Sequence, residues 1–390
     1  MKTELTRPNP RDVQVRAAQR TAARGVVVTY LSAVSARRDG HELATQREIA
    51  RRLAGVKGFV DGGEFDSHAR YPAPRYFLPT DTLTGEAAAR LGIRDEDDLY
   101  GGVVPSPFVA TKTITHPLAH TGARAPRGWT AEFPRRVANV VLDGFSAFAK
   151  DDALRAGSRL LEHGPIRVKL ATGIAGLGQF VVDSVHALAT ALDHIDPRAM
   201  SEAGLVVEQN LTDVTTYSVG QFRVAGTVGT YYGTQQLTTN NHGAAVYGGS
   251  EITVARGDYD TLLRLRLPDD IRLAIEQART YDAAASQCFP GFFASRRNYD
   301  VARGRDAAGR SRSGVLEQSW RAGGASGAEI GVLEAFDKDA SLRLARAMTR
   351  EVYGDEPTLP PNATVYFSGA DPSVGSLTKY AWVESYADAR

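Results

Sequence analysis

The stretch that most constrains this chain is a glycine-rich segment between two short apolar runs, at positions 166–183. The first run ends in Lys169, and Gly173, Gly176 and Gly178 follow it. Short apolar runs on both sides of a glycine segment predict a β-hairpin. Because glycine has no side chain, a phosphate can approach several backbone N–H groups of such a loop closely. A turn without any ligand is the other interpretation of the same residues.

Lys169 favours a phosphate at this hairpin, because a lysine at the end of an apolar strand is costly without an anionic partner. The alternative is a lysine that reaches solvent from the strand end. The loop lacks the Gly-Lys-Ser/Thr of a Walker A motif, and its glycine order is not that of a dinucleotide fingerprint. A later apolar strand, 204–208, ends in Glu208. This strand end is either a place where backbone groups bind the edge of an adenine or an ordinary solvated strand end.

Two acidic residues further along, Asp300 and Glu317, lie in runs that predict a pair of strands. If these runs form a hairpin, both carboxylates can point to one face, and Ser319 shares that face with Glu317 by alternation. Hard carboxylate oxygens beside phosphates are what Mg²⁺ prefers, while ordinary surface acids are the alternative. Arg321 is placed to steady a phosphoryl group, and Arg296 and Arg297 are candidates for a substrate carboxylate.

The composition excludes several classes of protein. The 390 residues are 43% apolar and 23% charged, as in a globular protein of two or three domains. A net charge of +1 and the lack of any run of roughly 18 apolar residues give no reason to expect a nucleic-acid or membrane partner. The single cysteine, Cys288, excludes internal disulfides and a cysteine-rich zinc site. The N-terminus lacks the apolar core of a signal peptide, so we expect a cytoplasmic protein.

Hydrophobic periodicity predicts a mixed α/β chain. A small α/β layer comes first, with strands at 25–31, 56–60 and 75–79 and a helix at 41–53. Two long strands follow the hairpin region, and a change of alternation beside Gly220 allows a bulge there. The remaining predicted elements are a helix at 271–285, a strand pair at 292–303 and 314–320, helical structure at 327–352, and closing strands at 364–368 and 377–384.

The order of these parts resembles the ATP-grasp superfamily. An early lysine, Lys112, precedes the strand–lysine–glycine hairpin, then a strand ending in glutamate, then paired acid strands with Glu-x-Ser-x-Arg. The longer runs at 219–226, 290–300 and 323–329 look like an uncharacterised bacterial family of unknown function, sometimes described as biotin-carboxylase-like. The resemblance to the superfamily covers roughly 108–326.

The resemblance implies a fold of the α+β and α/β classes, namely an ATP-grasp fold whose two α+β subdomains clamp the nucleotide. A small α/β pre-ATP-grasp-like domain would precede it. The predicted division is an N-terminal arm at 1–24, the small α/β domain at 25–107, an N-subdomain with a glycine-rich lid at 108–211, and a C-subdomain with the metal-binding strands at 212–390.

The resemblance also implies site residues. Lys112 would reach the α-phosphate, Lys169 the α- and β-phosphates, and Asp213 or Thr215 the ribose. The nucleotide-binding set is Lys112, Lys169, the lid residues Thr172, Gly173, Gly176 and Gly178, the adenine hinge Glu208, Gln209 and Leu211, and Asp213. Catalysis would fall to Arg321 and Lys169, and Mg²⁺ to Asp300, Glu317 and Ser319. The family usually has Asn where this chain has Ser319, a weaker ligand, which affects the second metal position.

The predicted activity is that of an ATP- and Mg²⁺-dependent ligase, which activates a carboxylate as an acyl phosphate for attack by an amine, a thiol or another nucleophile. The alternatives are a kinase on the same fold, a nucleotide-binding sensor or scaffold without turnover, and a protein with no nucleotide. The expected partner is a small, anionic substrate molecule. The sequence leaves the oligomeric state open, a dimer included.

Overall fold

The computed structural model describes residues 25–32, 40–171 and 178–387, which form four sheets with helices packed on them. The strands are β1 Val26–Tyr30, β2 Val60–Glu64, β3 Arg75–Pro79, β4 Leu83–Thr84, β5 Gly102–Val104, β6 Gly144–Ala147, β7 Ile166–Leu170, β8 Gln179–Val182, β9 Leu205–Gln209, β10 Thr212–Val224, β11 Thr227–Thr239, β12 Ala245–Arg256, β13 Phe293–Ala294, β14 Arg296–Arg305, β15 Ser311–Ser319, β16 Leu344–Tyr353, β17 Thr364–Asp371 and β18 Gly375–Ala387.

Helices connect these strands, and none of the described ones is both long enough and apolar enough to span a membrane. The α-helices are His41–Lys57, Gly85–Leu91, Glu132–Val137, Lys150–Leu161, Val185–Asp193, Pro197–Ala203, Tyr259–Leu263, Asp269–Cys288 and Ser326–Lys338. Two short 3₁₀ helices are Pro107–Ala110 and Lys112–Ile114.

The first sheet is parallel, in the order β2-β1-β3, with helix His41–Lys57 packed against it. The predicted strands at 25–31 and 75–79 are confirmed as β1 and β3. The predicted strand at 56–60 is wrong, because the helix continues through Lys57 and ends at Gly58, whose φ of 64° suits a left-handed helix cap. The next strand therefore begins only at Val60.

The predicted hairpin forms one side of a four-stranded antiparallel sheet, in the order β6-β9-β7-β8. Strands β7 and β8 pair from Ile166 with Val182 to Lys169 with Gln179, which confirms both predicted runs. The loop residues Thr172, Gly173 and Gly176 lie outside the described residues, as does the predicted arm at 1–24. Helices Lys150–Leu161 and Val185–Asp193 cover one face of this sheet around an apolar core.

The largest sheet has eight antiparallel strands, in the order β15-β14-β10-β11-β12-β16-β18-β17. The bulge that the sequence pattern allows beside Gly220 does not form, because β10 pairs without interruption through this residue on both sides. The change of alternation has another cause. Tyr217 and Val219 face helix Asp269–Cys288, whereas Phe222 and Val224 lie on the other face, in the core around helix Ser326–Lys338.

The helical structure predicted at 327–352 is only half correct. The helix ends at Lys338, and Leu344–Tyr353 is instead strand β16, which lies inside the large sheet between β12 and β18. Its leucine, alanine, arginine and methionine residues favour a helix in isolation. Pairing on both sides and burial of Ala345 and Ala347 outweigh that preference.

The mixed α/β class predicted from the sequence is confirmed. The four-stranded and eight-stranded layers, each with its own helices, both contribute residues to one cavity. This is the arrangement that the ATP-grasp resemblance implies, and the small parallel sheet at 25–79 precedes both layers.

Candidate functional site

One cavity of about 650 Å³ lies where the four-stranded layer meets the eight-stranded sheet. Strand β7 and the start of β8 contribute Lys169 and Gln179, and the large sheet contributes side chains from β15 through to β18. Six of the predicted site residues line this cavity, namely Lys112, Lys169, Asp300, Glu317, Ser319 and Arg321.

The two predicted metal ligands face each other on adjacent strands. Asp300 of β14 lies directly opposite Glu317 of β15, and an irregularity in pairing follows immediately. The Oδ1 atom of Asp300 accepts hydrogen bonds from Gln235 (2.8 Å), Asn298 (3.0 Å) and Ser218 (3.3 Å). Among the described residues no group donates to its Oδ2 atom. Burial, and then repulsion by Glu317, raises the pKa of Asp300 to about 6 in spite of these donors.

Lys112 reaches the same acid pair from a different part of the chain. It begins the short 3₁₀ helix Lys112–Ile114, and its Nζ atom lies 2.5 Å from Oε2 of Glu317. The lysine side chain is only 11% exposed and the glutamate 33%, so solvent screens this contact only in part. A cation of the protein therefore already compensates one of the two carboxylates.

Lys169 forms a buried ion pair with Glu208 of the neighbouring strand β9, and Nε2 of His116 lies 3.3 Å from the other carboxylate oxygen. Burial alone would raise the pKa of Glu208, but the charge of Lys169 and the contact with His116 lower it to about 2. Gly144 leaves room for this histidine, since a Cβ there would lie 2.8 Å from the imidazole ring. Lys169 lines the cavity and Glu208 lies behind it.

The predicted adenine hinge lies beside the cavity. Glu208, Gln209, Leu211 and Asp213 are not among the residues that line it. Leu211 packs in a small core with Leu142 and Ala302, and Leu316 bridges this core to the cavity wall. The Glu208 carboxylate is engaged by Lys169, so a nucleotide role for its side chain requires that pair to open. The hinge and ribose roles stay predictions.

Ser319, the residue that departs from the family pattern, has an amide opposite it. Asn298 pairs with Ser319 across β14 and β15 and points to the same face as Asp300. Its Nδ2 atom donates to Asp300, and its Oδ1 atom accepts from the Tyr231 hydroxyl at 2.9 Å. The sequence analysis missed Asn298, although its position two residues before Asp300 was enough to place it on this face.

The two arginines predicted to bind a substrate carboxylate have other partners. Arg296 is fully buried and donates to Glu329 at 2.7 Å and to the backbone oxygens of Ser319 and Arg321. Arg297 points to the opposite face and lies 3.3 Å from Asp282, so the prediction for Arg297 is wrong. Strand alternation explains the difference, because Arg296 shares the face of Asp300 and Arg297 does not.

A model of the family described as "Protein of unknown function (DUF3182)" matches residues 28–381, which is most of the chain. The chain belongs to the DUF3182 family. No curated protein matches this DUF3182 chain.

Solved structures similar to the DUF3182 chain share little sequence with it. One is the biotin carboxylase domain of the 2-oxoglutarate carboxylase of Hydrogenobacter thermophilus, at 10% identity and a TM-score of 0.49, covering 92% of this chain and 86% of that one. Another is N5-carboxyaminoimidazole synthetase from Staphylococcus aureus, at 11% identity and a TM-score of 0.47, with 93% and 94% covered. A third is biotin carboxylase from Campylobacter jejuni, at 11% identity and 0.46, with 93% and 88% covered. At such low identity we take neither reaction nor substrate from them.

The acid pair of the DUF3182 protein fits a magnesium ion that keeps waters and phosphates among its ligands. Within the described ranges no three His, Cys, Asp or Glu side chains cluster as a metal site, which excludes a cage built by these residues alone. Mg²⁺ requires only one or two carboxylates beside phosphates and water. A buried carboxylate beside a second one, with an oxygen to which no described residue donates, has the charge and a ligand position for such an ion.

Proposed function

We propose that the protein is an ATP- and Mg²⁺-dependent ligase of the ATP-grasp type, which activates a carboxylate as an acyl phosphate for attack by an amine or another nucleophile. One observation supports this proposal. Lys112, Lys169, Asp300 and Glu317, which are far apart in the chain, line a single cavity. Two cations and two carboxylates match the charges of a triphosphate and its divalent cation.

In the proposed reaction an oxygen of the substrate carboxylate attacks the γ-phosphorus of ATP, and the bond to the β–γ bridging oxygen breaks so that ADP leaves. The nucleophile, an amine nitrogen, then attacks the acyl carbon. Phosphate leaves with the electron pair of its bond to carbon, and the nitrogen gives its proton to solvent. Each step moves negative charge between oxygens, so positioned cations lower the barrier.

The residues of the chain have distinct tasks in this scheme. Lys112 and Lys169 would lie against the phosphates, and Arg321 would hold the phosphoryl group during transfer. Asp300 and Glu317 would hold Mg²⁺, which supplies charge neutralisation at the phosphate oxygens. Lys112 would exchange its contact with Glu317 for one with the nucleotide.

Ser319 favours a second candidate, a nucleotide-binding sensor without turnover. The Ser319 hydroxyl replaces the amide that is usual in the ATP-grasp superfamily, and the nearby amide of Asn298 is hydrogen-bonded to Asp300 and Tyr231. A second ion would then be held more weakly, and phosphoryl transfer would suffer more than nucleotide binding.

The first test is nucleotide binding, read as the rise in melting temperature with MgATP. We expect the wild type to gain about 2.7 kcal/mol at a hundred times the dissociation constant, and Glu317→Gln to gain much less at the same concentration. Glu276→Gln, a change of an exposed glutamate on helix Asp269–Cys288, is the matched control and should keep the full rise. The absence of any rise in the wild type contradicts nucleotide binding.

The second test separates the reactions. Hydroxylamine traps acyl phosphates, so a hydroxamate formed from MgATP and a carboxylate substrate is the outcome expected of a ligase. ADP release without hydroxamate, with a phosphorylated alcohol as product, identifies a kinase. ATP binding without ADP release across a panel of acids and amines identifies a sensor, and Ser319→Asn would then be the variant in which to look for restored turnover.

A further inference from the structure

The cavity continues far beyond the acid pair, along one face of the eight-stranded sheet. Directly opposed residues in adjacent strands share a face, so the pairing registers define which side chains point into it. Six polar side chains on this face line the cavity beyond Asp300, and we call them the polar row: Ser218, Gln235, Tyr247, Thr349, Glu351 and Lys379.

The polar row is long compared with a nucleotide phosphate. In the sheet order, Asp300 of β14 is four strands away from Glu351 of β16 and five from Lys379 of β18. Neighbouring strands are about 4.8 Å apart, so the row extends roughly 19–24 Å from the acid pair. A ligand that touches both ends must therefore be extended.

The far end of the row is a charged group of its own. Lys379 lies opposite Glu351, with 2.8 Å between Nζ and Oε1, and Nδ1 of His41 lies 3.4 Å from the same Nζ. Burial and the charge of Lys379 lower the pKa of His41, so the imidazole is neutral at pH 7 and accepts from the lysine. An ammonium group has three N–H donors, and these contacts with described residues use two of them.

We propose, resting on the proposed ligase function, that the nucleophile is an extended, polar amine with a terminal carboxylate, such as a peptide of about five residues. Its carboxylate lies at Lys379 and its amine at the Asp300–Glu317 end. Five extended residues span about 17 Å at roughly 3.4 Å each, and a hydrogen bond of about 3 Å at each terminus extends the reach to roughly 23 Å, within the length of the row. The amine nitrogen bonds to the acyl carbon, phosphate leaves, and the proton passes to solvent.

The chemistry of the row favours this class of ligand over a short or apolar one. Hydroxyl and amide groups line the middle of the row, and beside an apolar chain the hydrogen-bonding positions that they do not use within the protein would stay unfilled. Tyr247 already bonds to Ser250 at 2.6 Å and to Thr349 at 3.1 Å, so these hydroxyls are held in fixed positions. Amide N–H and C=O groups of a peptide provide both donors and acceptors at this spacing.

The test is a series of ligands with the same termini, measured by calorimetry with and without Mg²⁺ and a non-hydrolysable ATP analogue. Pentaglycine should bind about tenfold more tightly than triglycine, and glycine should bind too weakly to measure, because only the long ligand reaches Lys379. A 12-aminododecanoate of similar length, with an apolar chain, should bind more weakly than pentaglycine. Lys379→Met should weaken pentaglycine binding about tenfold and leave binding of the ATP analogue unchanged.

The matched control is Arg346→Met, which removes a cation from the same strands on the opposite face of the sheet, where it pairs with Glu251. This variant should bind pentaglycine like the wild type, and Lys379→Arg should retain most of the affinity. Equal affinity for all three glycine ligands, no binding of pentaglycine up to roughly 10 mM, or no effect of Lys379→Met would each overturn the proposal. Normal binding of the ATP analogue in these experiments separates such a failure from failure of the proposed function.

Discussion

Asp300 is stabilised by neutral donors and destabilised by a second carboxylate. Three side chains donate to one of its oxygens, and the half-buried Glu317 lies directly across from it. Two close carboxylates in a poorly solvated site repel each other, and the Lys112 contact relieves only the Glu317 side. The protein therefore gives up stability at this point, as is common where a ligand is to be bound.

Asp300→Asn should raise the melting temperature of the nucleotide-free protein, because the amide keeps the size of the side chain and removes the repulsion. We expect a gain on the order of 1–2 kcal/mol in free energy of unfolding, and a loss of most of the stabilisation by MgATP. Asp337→Asn, an exposed change on helix Ser326–Lys338, should affect neither quantity. A variant of Asp300 that is less stable but binds MgATP normally would assign this residue a purely structural role.

Glu208 is the opposite case to Asp300, because its ionised form stabilises the folded protein. Its pKa is about 2 in the folded protein, below the ordinary glutamate value, so its contribution to stability is present above about pH 4.5 and is lost as the pH falls towards 2. The loss is on the order of 3 kcal/mol at 1.36 kcal/mol per pKa unit. Denaturant unfolding at pH 5 and pH 3 should show about 2 kcal/mol of this loss, because the folded-state carboxyl is still mostly ionised at pH 3. In Glu208→Gln the stability should fall less steeply between these two pH values, even though the variant is less stable at pH 5.

The sequence pointed to the charged residues of the site more readily than to their neutral partners. Lys169 could be selected because a charge at the end of an apolar strand has few explanations, and Asp300 and Glu317 because two acids on paired strands suit Mg²⁺. Lys112 followed only from the resemblance to the ATP-grasp superfamily. Gln235 and Ser218 are ordinary residues in the sequence, and only the pairing of three strands brings them to Asp300. Of the predicted lid, Thr172 to Gly178, the six residues 172–177 lie outside the described part, so the lid role stays a prediction.

Strands were predicted well where one face is buried and less well where both are. The hairpin β7–β8 and the pair β14–β15 have clear alternation, and their partners are local in sequence. Strand β10 packs against a core on each face, so its apolar residues change alternation along the strand as they would at a bulge. Strand β16 pairs with β12, about a hundred positions away, and no local pattern reports such a long-range contact.

Gly220 in β10 offers a test at the level of the strand. A Cβ at this position would lie 2.4 Å from the Tyr231 hydroxyl and 2.5 Å from the backbone oxygen of Arg297. Gly220→Ala should therefore destabilise the protein by about 1–3 kcal/mol, because the sheet cannot move aside locally. Gly55→Ala, in the exposed part of helix His41–Lys57 with open space around it, should instead stabilise by up to about 1 kcal/mol. Chemical denaturation measures both, and equal effects would contradict the steric explanation.

At the scale of the whole molecule, the small parallel sheet and the large sheet share one apolar core. Val27, Leu53 and Leu78 lie in the small sheet and its helix. They belong to the same buried cluster as Ile252 of the large sheet and Leu333 of the helix packed on it. Arg52 also donates to Glu334, with 2.8 Å between Nε and Oε1, and to the side chain of Thr364. The small sheet and helix His41–Lys57 are therefore joined to the large sheet and helix Ser326–Lys338 by packing and by charge.

This shared core predicts that the small parallel sheet and the large sheet unfold together. Leu53→Ala, at a fully buried position, should lower the free energy of unfolding by about 2–5 kcal/mol. Both sheets should still melt in one transition, at a lower temperature. Calorimetry combined with hydrogen exchange resolves the two sheets, since protection lost only in residues 25–80 would show that the small sheet opens independently.

The contact between Lys112 and Glu317 has a consequence for the order in which ligands arrive. A metal ion alone has to displace an ammonium group from the acid it needs, and a nucleotide alone has to draw Lys112 away from a carboxylate that would then be uncompensated. When both arrive together, each supplies the charge that the other displaces. In the proposed function the contact thus couples the two binding equilibria, and by thermodynamic reciprocity each ligand strengthens the other by the same factor. The molecule would respond to the conjunction of metal and nucleotide and remain nearly indifferent to either one by itself.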